Sequence, residues 1–208
     1  MKLPIYTLHQ GHTPLLVSLP HAGTSIPGPM LAAMQPRARE VEDTDWFLDR
    51  LYAFVVDMGA SLIVPQHSRY VVDLNRPSDN RPMYPGVNNT ELCPTRFFTG
   101  EPLYRDGMAP TASEVAHRVD TYWQPYHHAL RHELDRLKAE HGHAVRVEQA
   151  PGHVAAAACG DVEEPVFTGR AAELVGLGGV GRAERAADRV AVVDGGRRAG
   201  GGGEFRRA

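Results

Sequence analysis

The alternation of short apolar strands with helical segments is the feature that most limits what this chain can fold into. Strands are predicted at residues 13–23 (TPLLVSLPHAG), 60–66 (ASLIVPQ) and 69–75 (RYVVDLN), and helices at residues 43–59 and 113–142. Such alternation favours a parallel sheet, because each helical crossover returns the chain to the same edge of the sheet. The sequence therefore predicts an α/β fold in which a mostly parallel sheet is flanked by helices.

Local signals refine this prediction. Residues 43–59 have apolar side chains at helical spacing, begin with capping residues and end at Gly59. In the segment 113–142, Ser113 is the predicted N-cap, and Pro125 should kink or split the helix. Residues 77–110 are rich in Pro, Gly, Asn and Asp, which predicts a long irregular excursion of the kind that is often functional.

Charge and cysteine content exclude several classes of function. A formal charge of -3 and a pI near 6.4 give no general attraction to nucleic acid or to anionic membranes. No signal peptide and no apolar run of about 18 residues is visible, so we expect a cytoplasmic protein without a membrane span. Cys93 and Cys159 show no disulfide or zinc-knuckle spacing. Eleven histidines are many for 208 residues, which makes a metal or acid–base role worth testing.

The amino-acid composition changes abruptly near residue 146. Residues 146–208 contain no Ser, Asn, Ile, Lys, Tyr, Trp or Met and are dominated by Ala, Gly, Arg, Val and Glu. Two interpretations remain open: a flexible tail in a protein from a GC-rich organism, or a shifted reading frame near residue 145. Both predict an α/β domain over residues 1–145 and a poorly ordered tail over residues 146–208.

His21 is the first candidate for chemistry, because it follows a strand at a glycine turn. Catalytic groups in open α/β sheets often lie beyond the carboxyl ends of the strands. Asp43 and Asp45 begin the next helix, where carboxylates are also ordinary caps. A histidine and an aspartate from neighbouring strand ends could supply two zinc ligands, and a catalytic zinc usually takes a third from the protein. We expect that third ligand to be a histidine on a later strand.

Arg69, Asn75 and Arg76 suit a different task. Guanidinium groups bind carboxylates bidentately and an amide adds a neutral donor, so these residues could hold a small dicarboxylate. Asp73 could orient one of the arginines. The alternative is a network of ion pairs at the surface. His127 and His128 could belong to the same site or to the buried face of their helix.

Taken together, these motifs resemble the N-formylglutamate amidohydrolase family. The matching stretches are SLPHAGTSIP, DTDWFLDRLY, SRYVVDLNRP, MYPG, LCPTRFF, EPLY and YWQPYHHALRHEL, which together span roughly residues 4–145. The resemblance implies a phosphorylase/hydrolase-like fold, similar to aspartoacylase and the zinc carboxypeptidases. It also implies hydrolysis of N-formyl-L-glutamate to formate and L-glutamate, the last step of one route of histidine degradation.

The resemblance also implies roles for individual residues. Zinc or another divalent metal would be bound by His21 with Asp43 or Asp45, and the substrate carboxylates by Asn75 and Arg76 with support from Arg69. Independently of the resemblance, His127 and Glu133 are the candidates for proton transfer, and Glu114 is considered beside Glu133 because both are helical carboxylates near the motif. The partner would be a small acidic substrate, without nucleic acid or membrane, and the sequence leaves the oligomeric state open.

The chain departs from the family pattern after residue 145. The family continues there with a strand that ends in an acidic residue, followed by a His-Ser pair, whereas this chain reads RVEQAPGHVAAAACG. The surroundings of His153 do not match, so a third metal ligand and an interior strand are expected to be missing. We therefore predict that this chain is inactive or poorly folded. The alternatives are a zinc amidase for another N-acyl amino acid and a metal-free protein that binds glutamate-like ligands.

Overall fold

The computed structural model describes residues 3–81, 90–150 and 153–158, and in these residues five strands form one mixed sheet. In the sheet order β1–β3–β2–β4–β5, the strands are β1 (Tyr6–His9), β3 (Ser61–Pro65), β2 (Leu15–Ser18), β4 (Val145–Ala150) and β5 (His153–Ala158). The three central strands are parallel, and both outer strands are antiparallel to their neighbours. The α/β class is confirmed, whereas the sheet is mixed and not mostly parallel.

Helices and turns cover both faces of the sheet. The helices are α1 (Gly28–Ala33), α2 (Leu48–Leu51), α3 (Phe54–Asp57), α4 (Ala112–Arg118) and α5 (Gln124–His141), with a 3₁₀ helix at Pro36–Glu40 and a π-helix at Val119–Trp123. Side chains alternate between the two faces of a strand. Leu16 and Ile63 accordingly pack against α5, while Val17 and Leu62 pack against α3. The carboxyl ends of β2 and β3 remain free to carry a site.

The predicted helix over residues 43–59 is instead two short helices, α2 and α3. Phe47 has a left-handed backbone with φ 63°, which delays the start of α2, and Gly59 ends the segment with φ 76°, as predicted. Leu48 and Tyr52 pack against the sheet, while Phe47 and Leu51 are 66% and 65% exposed. Apolar side chains thus lie on the exposed side of the segment as well as on the buried side, so its periodicity could not identify the face that would be buried.

The predicted strand RYVVDLN consists of turns. The Val71 amide donates to the Ser68 carbonyl at 2.9 Å, and the Asp73 amide donates to the Leu92 carbonyl at 2.7 Å. The prediction was wrong because buried apolar residues alone do not define a strand. Val72 and Leu74 do enter the main hydrophobic core, as a buried strand would. They do so without belonging to any strand of the sheet, and the Leu74 carbonyl lies 3.0 Å from His127 Nε2.

The long helical segment was predicted more closely. It begins at Ala112, and its N-cap is Thr111, whose hydroxyl accepts from the Glu114 amide at 3.3 Å; the predicted cap, Ser113, lies inside the helix. A π-helix directly precedes α5, and Pro125 lies in the first turn of α5; because the three helices follow one another without a gap from Ala112 to His141, the proline does not split the segment. Residues 77–81 and 90–110 contain no helix or strand beyond isolated bridges, as expected for the excursion.

The sheet continues past the change in composition. β4 pairs in parallel with β2, with Val147 opposite Val17, and β5 follows as an antiparallel partner. The expectation that an interior strand is missing after residue 145 is therefore wrong. The alternation in AVRVE explains this result, because it suits a strand with unlike faces. Residues 159–208, to which most of the predicted tail belongs, lie outside the described part. No described helix is long and apolar enough to cross a membrane.

Candidate active site

His21 lies just beyond the carboxyl end of β2, where the chain turns. Its side chain is buried, with Nε2 2.7 Å from Asp73 Oδ1 and Nδ1 3.6 Å from Asp45 Oδ2. The turn packs directly on the chain that follows β3, since a Cβ at Gly23 would lie 2.2 Å from the His67 carbonyl oxygen. Glycine is therefore required at position 23, and this close approach brings His21 next to the segment that carries Asp73.

Asp73 is the centre of the cluster. Its Oδ1 accepts from His21 Nε2 and, at 3.0 Å, from the Asn75 amide, while Oδ2 accepts from Arg69 Nη2 at 2.5 Å. Burial alone would raise the pKa of this carboxyl, but His21 and Arg69 outweigh burial and keep the pKa well below its ordinary value. Burial lowers the pKa of His21, but the Asp73 and Asp45 carboxylates outweigh it, so that pKa is raised.

Three polar atoms around this centre are buried and have no hydrogen-bond partner: His21 Nδ1, Asp45 Oδ2 and Arg69 Nη1. A buried polar group left without a partner costs about 1–3 kcal/mol. Two of the three are an imidazole nitrogen and a carboxylate oxygen, the donor set that zinc takes in catalytic sites. The described residues contain no group of three or more His, Cys, Asp or Glu that could hold a metal ion. These residues thus offer two candidate ligands and not a complete set.

The structure distinguishes between the two aspartates that the sequence left open. The Asp45 amide donates to the His21 carbonyl at 3.1 Å, which holds residue 45 beside the histidine. Asp43 points elsewhere, because its Oδ2 accepts from the Phe98 amide at 3.1 Å. Asp43 therefore anchors the loop that contains Phe98, and Asp45 is the carboxylate brought to His21.

The three predicted substrate-binding residues lie at the same edge of the sheet. Arg69 is 5% exposed, and its guanidinium lies under the Phe98 ring at 4.3 Å from the centroid. Asn75 and Arg76 follow Asp73 in the turn and are partly exposed. Arg76 donates from Nη2 to Thr90 Oγ1 at 2.8 Å. The cationic groups thus extend from the buried centre of the cluster towards solvent.

His127, on α5, contacts the turn that carries Asn75 and Arg76. Its Nε2 lies 3.0 Å from the Leu74 carbonyl, and its ring stacks on Trp123 with centroids 3.8 Å apart. Burial first, and then the Arg146 cation, lower the pKa of His127 to about 3, so the ring is neutral at pH 7. The ring contacts the backbone of the turn and not the His21 cluster, which does not fit the predicted proton-transfer role.

Glu133 lies at the other edge of the sheet, so the structure does not bring this predicted catalytic residue to the site. Its carboxylate accepts from Ser61 Oγ at 2.5 Å and from Gln10 Nε2 at 2.8 Å, and it pairs with Arg136 at 2.5 Å. Ser61 is the first residue of β3, whereas His21 follows the last residue of the parallel strand β2. Glu133 is fully buried and ties α5 to the start of β3, which is a structural role.

Two residues of this edge were not predicted from the sequence. Phe98 covers Arg69, and no local pattern in the irregular excursion distinguishes it. Glu148 is buried on β4 opposite Ser18 and pairs with Arg146 at 2.9 Å. A charged residue inside the strand-like run AVRVE was the available signal for Glu148.

Comparisons with known proteins agree on one family. The model of the family described as N-formylglutamate amidohydrolase matches residues 13–193. Two proteins named N-formylglutamate deformylase are similar over 141 residues, or 68% of this chain: one from Pseudomonas putida at 43% identity and one from Pseudomonas aeruginosa at 46%. The matches cover 52% and 53% of those proteins, so the chain spans about half the length of these curated relatives.

Two solved structures share the fold. One is an N-formylglutamate amidohydrolase from Ralstonia eutropha JMP134, with a TM-score of 0.52 and 24% identity over 70% of this chain and 56% of that one. The other is a gene product of Agrobacterium tumefaciens, with a TM-score of 0.51 and 16% identity over 65% of this chain and 51% of that one. At these identities the likeness supports the fold alone.

Proposed function

Because the chain belongs to the N-formylglutamate amidohydrolase family, we propose that its site binds N-formyl-L-glutamate and hydrolyses it to formate and L-glutamate. The observation that carries this proposal is the convergence of His21 Nδ1, Asp45 Oδ2 and Arg69 Nη1, all buried without hydrogen-bond partners. The reaction would be the last step of a histidine-degradation route. The proposed architecture is the phosphorylase/hydrolase-like one, related to the zinc carboxypeptidases.

A divalent metal, zinc by the chemistry of the donor set, would be held by His21 and Asp45. When bound, it supplies the Lewis acidity that activates water and polarises a carbonyl group. Asp73 would prepare the histidine for this role, because it accepts a hydrogen bond from Nε2–H and so favours the neutral tautomer whose lone pair is on Nδ1. Two protein ligands are one fewer than catalytic zinc usually takes. The described residues offer no third ligand beside these two.

The remaining residues suit a substrate with two carboxylates. Asn75 and Arg76 would bind one of them, since an amide and a guanidinium provide complementary donors. Arg69 presents its unpaired Nη1 to an oxygen atom of the substrate, with the guanidinium held in place by Asp73. Phe98 covers that guanidinium and excludes water from it. Electrostatic interactions are stronger where water is excluded.

The test uses the full chain purified with and without added zinc. Zinc content is measured by mass spectrometry, and formate release is measured with N-formyl-L-glutamate and N-acetyl-L-glutamate. We expect formate release that requires zinc and is lost in His21→Ala. With only two ligands, we expect turnover at least about 100-fold below that of the Pseudomonas putida relative. Equal turnover with stoichiometric zinc would contradict the predicted loss of the third ligand, and preferential hydrolysis of the acetyl substrate would identify a different amidase.

A metal-free protein that binds glutamate-like ligands is the second candidate. It is favoured by the incomplete ligand set in the described residues. It predicts that binding of L-glutamate survives chelation and His21→Ala, with no formate released under any condition. Both the hydrolase and the metal-free binding protein should lose ligand binding in Arg76→Ala. Formate release is therefore the measurement that distinguishes the two functions.

A further inference from the structure

The rings of Trp123 and His127 hold the turn that carries Asn75 and Arg76. Trp123 Nε1 donates to the Arg76 carbonyl at 2.8 Å, and His127 Nε2 lies 3.0 Å from the Leu74 carbonyl. The two rings are stacked, with centroids 3.8 Å apart and an interplanar angle of 25°. The two carbonyls flank Asn75 in the sequence, so one pair of rings holds both sides of that residue.

The hydrogen-bond direction at His127 follows from its partner. A carbonyl oxygen only accepts, so Nε2 must carry the proton and the neutral ring must be the Nε2–H tautomer. The Asn75 amide is held as well, because it donates to Asp73 Oδ1 at 3.0 Å. The backbone on either side of Asn75 is therefore fixed at three points, all by side chains.

The π-helix at Val119–Trp123 is the local feature associated with this arrangement. Trp123 is its last residue, and His127 follows four residues later, the spacing at which helical side chains share a face. Pro125 lies between them in the first turn of α5, where a missing amide proton costs little. Isolated π turns within helices occur frequently at functional sites.

A turn with a purely structural role would not need two ring donors. Arg76 lies in the partly exposed part of the turn, where water could bind its carbonyl at a cost of at most about 2 kcal/mol, whereas here an indole is used. We propose that Trp123 and His127 are positioning residues that set the orientation of Asn75 and Arg76 towards the carboxylates of an acidic substrate. This inference rests on the proposed function, and it gives His127 a role different from proton transfer.

The experiment measures binding of N-formyl-L-glutamate to the full chain by calorimetry. Trp123→Phe keeps the stacked ring and removes the donor, while His127→Leu removes the donor and His127→Gln restores one. Loss of one hydrogen bond at the turn should weaken binding about tenfold in Trp123→Phe and in His127→Leu. His127→Gln should recover to within about threefold of the wild type, and exposed His128→Gln should leave the affinity unchanged. Zinc affinity should not change in any of these variants.

A second measurement keeps the inference testable if a variant fails to fold. The chain has two tryptophans, and Trp46 is 49% exposed whereas Trp123 is 9% exposed. In ¹H–¹⁵N spectra of the wild type, the Trp123 indole proton should exchange slowly and should shift when the substrate is added. The Trp46 indole proton should exchange quickly and should not shift.

The outcomes separate the two proposals. If the wild type binds the substrate but Trp123→Phe and His127→Leu bind within twofold of it, the positioning role is refuted and the proposed function stands. A Trp123 indole resonance that is unmoved by bound substrate refutes the positioning role as well. If the wild type binds no substrate at all, the proposed function fails, and the inference that rests on it fails too.

Discussion

The Asp73→Asn substitution tests the centre of the site most directly. Asn has nearly the same shape as Asp, so the change removes a charge without creating a cavity. Asp73 is 1% exposed and accepts hydrogen bonds from His21 and Arg69. A guanidinium cannot accept a hydrogen bond from an amide, and His21 Nε2 can accept one only when the ring proton is on Nδ1. An amide that keeps its oxygen on Arg69 would therefore force His21 into the Nδ1–H tautomer. It would also leave Arg69, which is 5% exposed, as a buried cation without its counter-ion.

Removal of one partner from a buried ion pair costs about 3–5 kcal/mol. We expect Asp73→Asn to lower the free energy of unfolding by that amount, measured by urea denaturation followed by circular dichroism at pH 7. Asp79→Asn is the matched control: it lies in the same region, its side chain is 59% exposed, and its change should stay within about 0.5 kcal/mol. A loss below about 1 kcal/mol for Asp73→Asn would refute the reasoning. An unfolded Asp73→Asn variant supports the reasoning only if Asp79→Asn remains folded.

Three further predictions follow from the positions of single side chains. Asp45→Asn should lower zinc affinity, measured by calorimetry, at least about tenfold without lowering the Tm. Asp43→Asn should change zinc affinity less than about threefold. If Asp43→Asn has the larger effect, Asp43 is the ligand. Glu133→Gln should lower the free energy of unfolding by about 2–3 kcal/mol, because Glu133 is buried and hydrogen-bonded to Ser61. It should leave substrate affinity unchanged, because Glu133 lies at the edge of the sheet opposite to His21. Loss of affinity without loss of stability would support the predicted catalytic role instead. The pKa of His127 is about 3 in the folded chain and about 6.5 when unfolded, so the native state binds fewer protons below pH 6.5 and loses stability as the pH falls towards 3. Between pH 7 and pH 5 the wild type should lose about 2 kcal/mol more than His127→Gln, and equal losses would show that the folded pKa is not depressed.

The order of the strands and helices could be predicted from the sequence because it depends on local patterns. Apolar runs of four to six residues marked β2 and β3, and Gly59 and Pro125 marked real changes in the chain. The buried face of α2 and α3 could not be predicted from the sequence. Leu48 and Leu51 are equally apolar, and only packing against the sheet decides that Leu48 is covered and Leu51 is exposed. Local patterns therefore give the elements, and their packing has to come from the tertiary structure.

Some predicted site residues lie together in the structure, whereas their roles remain predictions. Asp73 joins His21 to Arg69, and His21 in turn faces Asp45. Glu133 was selected because it is a carboxylate on a helix near a motif, and sequence distance gave no information about which edge of the sheet it reaches. A role depends on which atoms face each other across elements far apart in sequence, and a single sequence does not contain that information.

Asp73, in the segment RYVVDLN, and Asp45 both contact His21, but they contribute differently to stability and to function. As a strand the segment would have satisfied its backbone by pairing, but as a turn it uses side chains as well as backbone groups, so Asp73 supports both the fold and the site. Asp45 Oδ2 is the opposite case: it is buried without a hydrogen bond, and its one ion-pair contact, with His21 Nδ1, is long at 3.6 Å, so the fold gains little from its charge. A group kept at a cost to stability is typical of a functional site, where removing it can stabilise the protein while abolishing activity. The expected rise or constancy of the Tm in Asp45→Asn, set against the loss in Asp73→Asn, therefore separates the residue that binds a ligand from the residue that holds the site together.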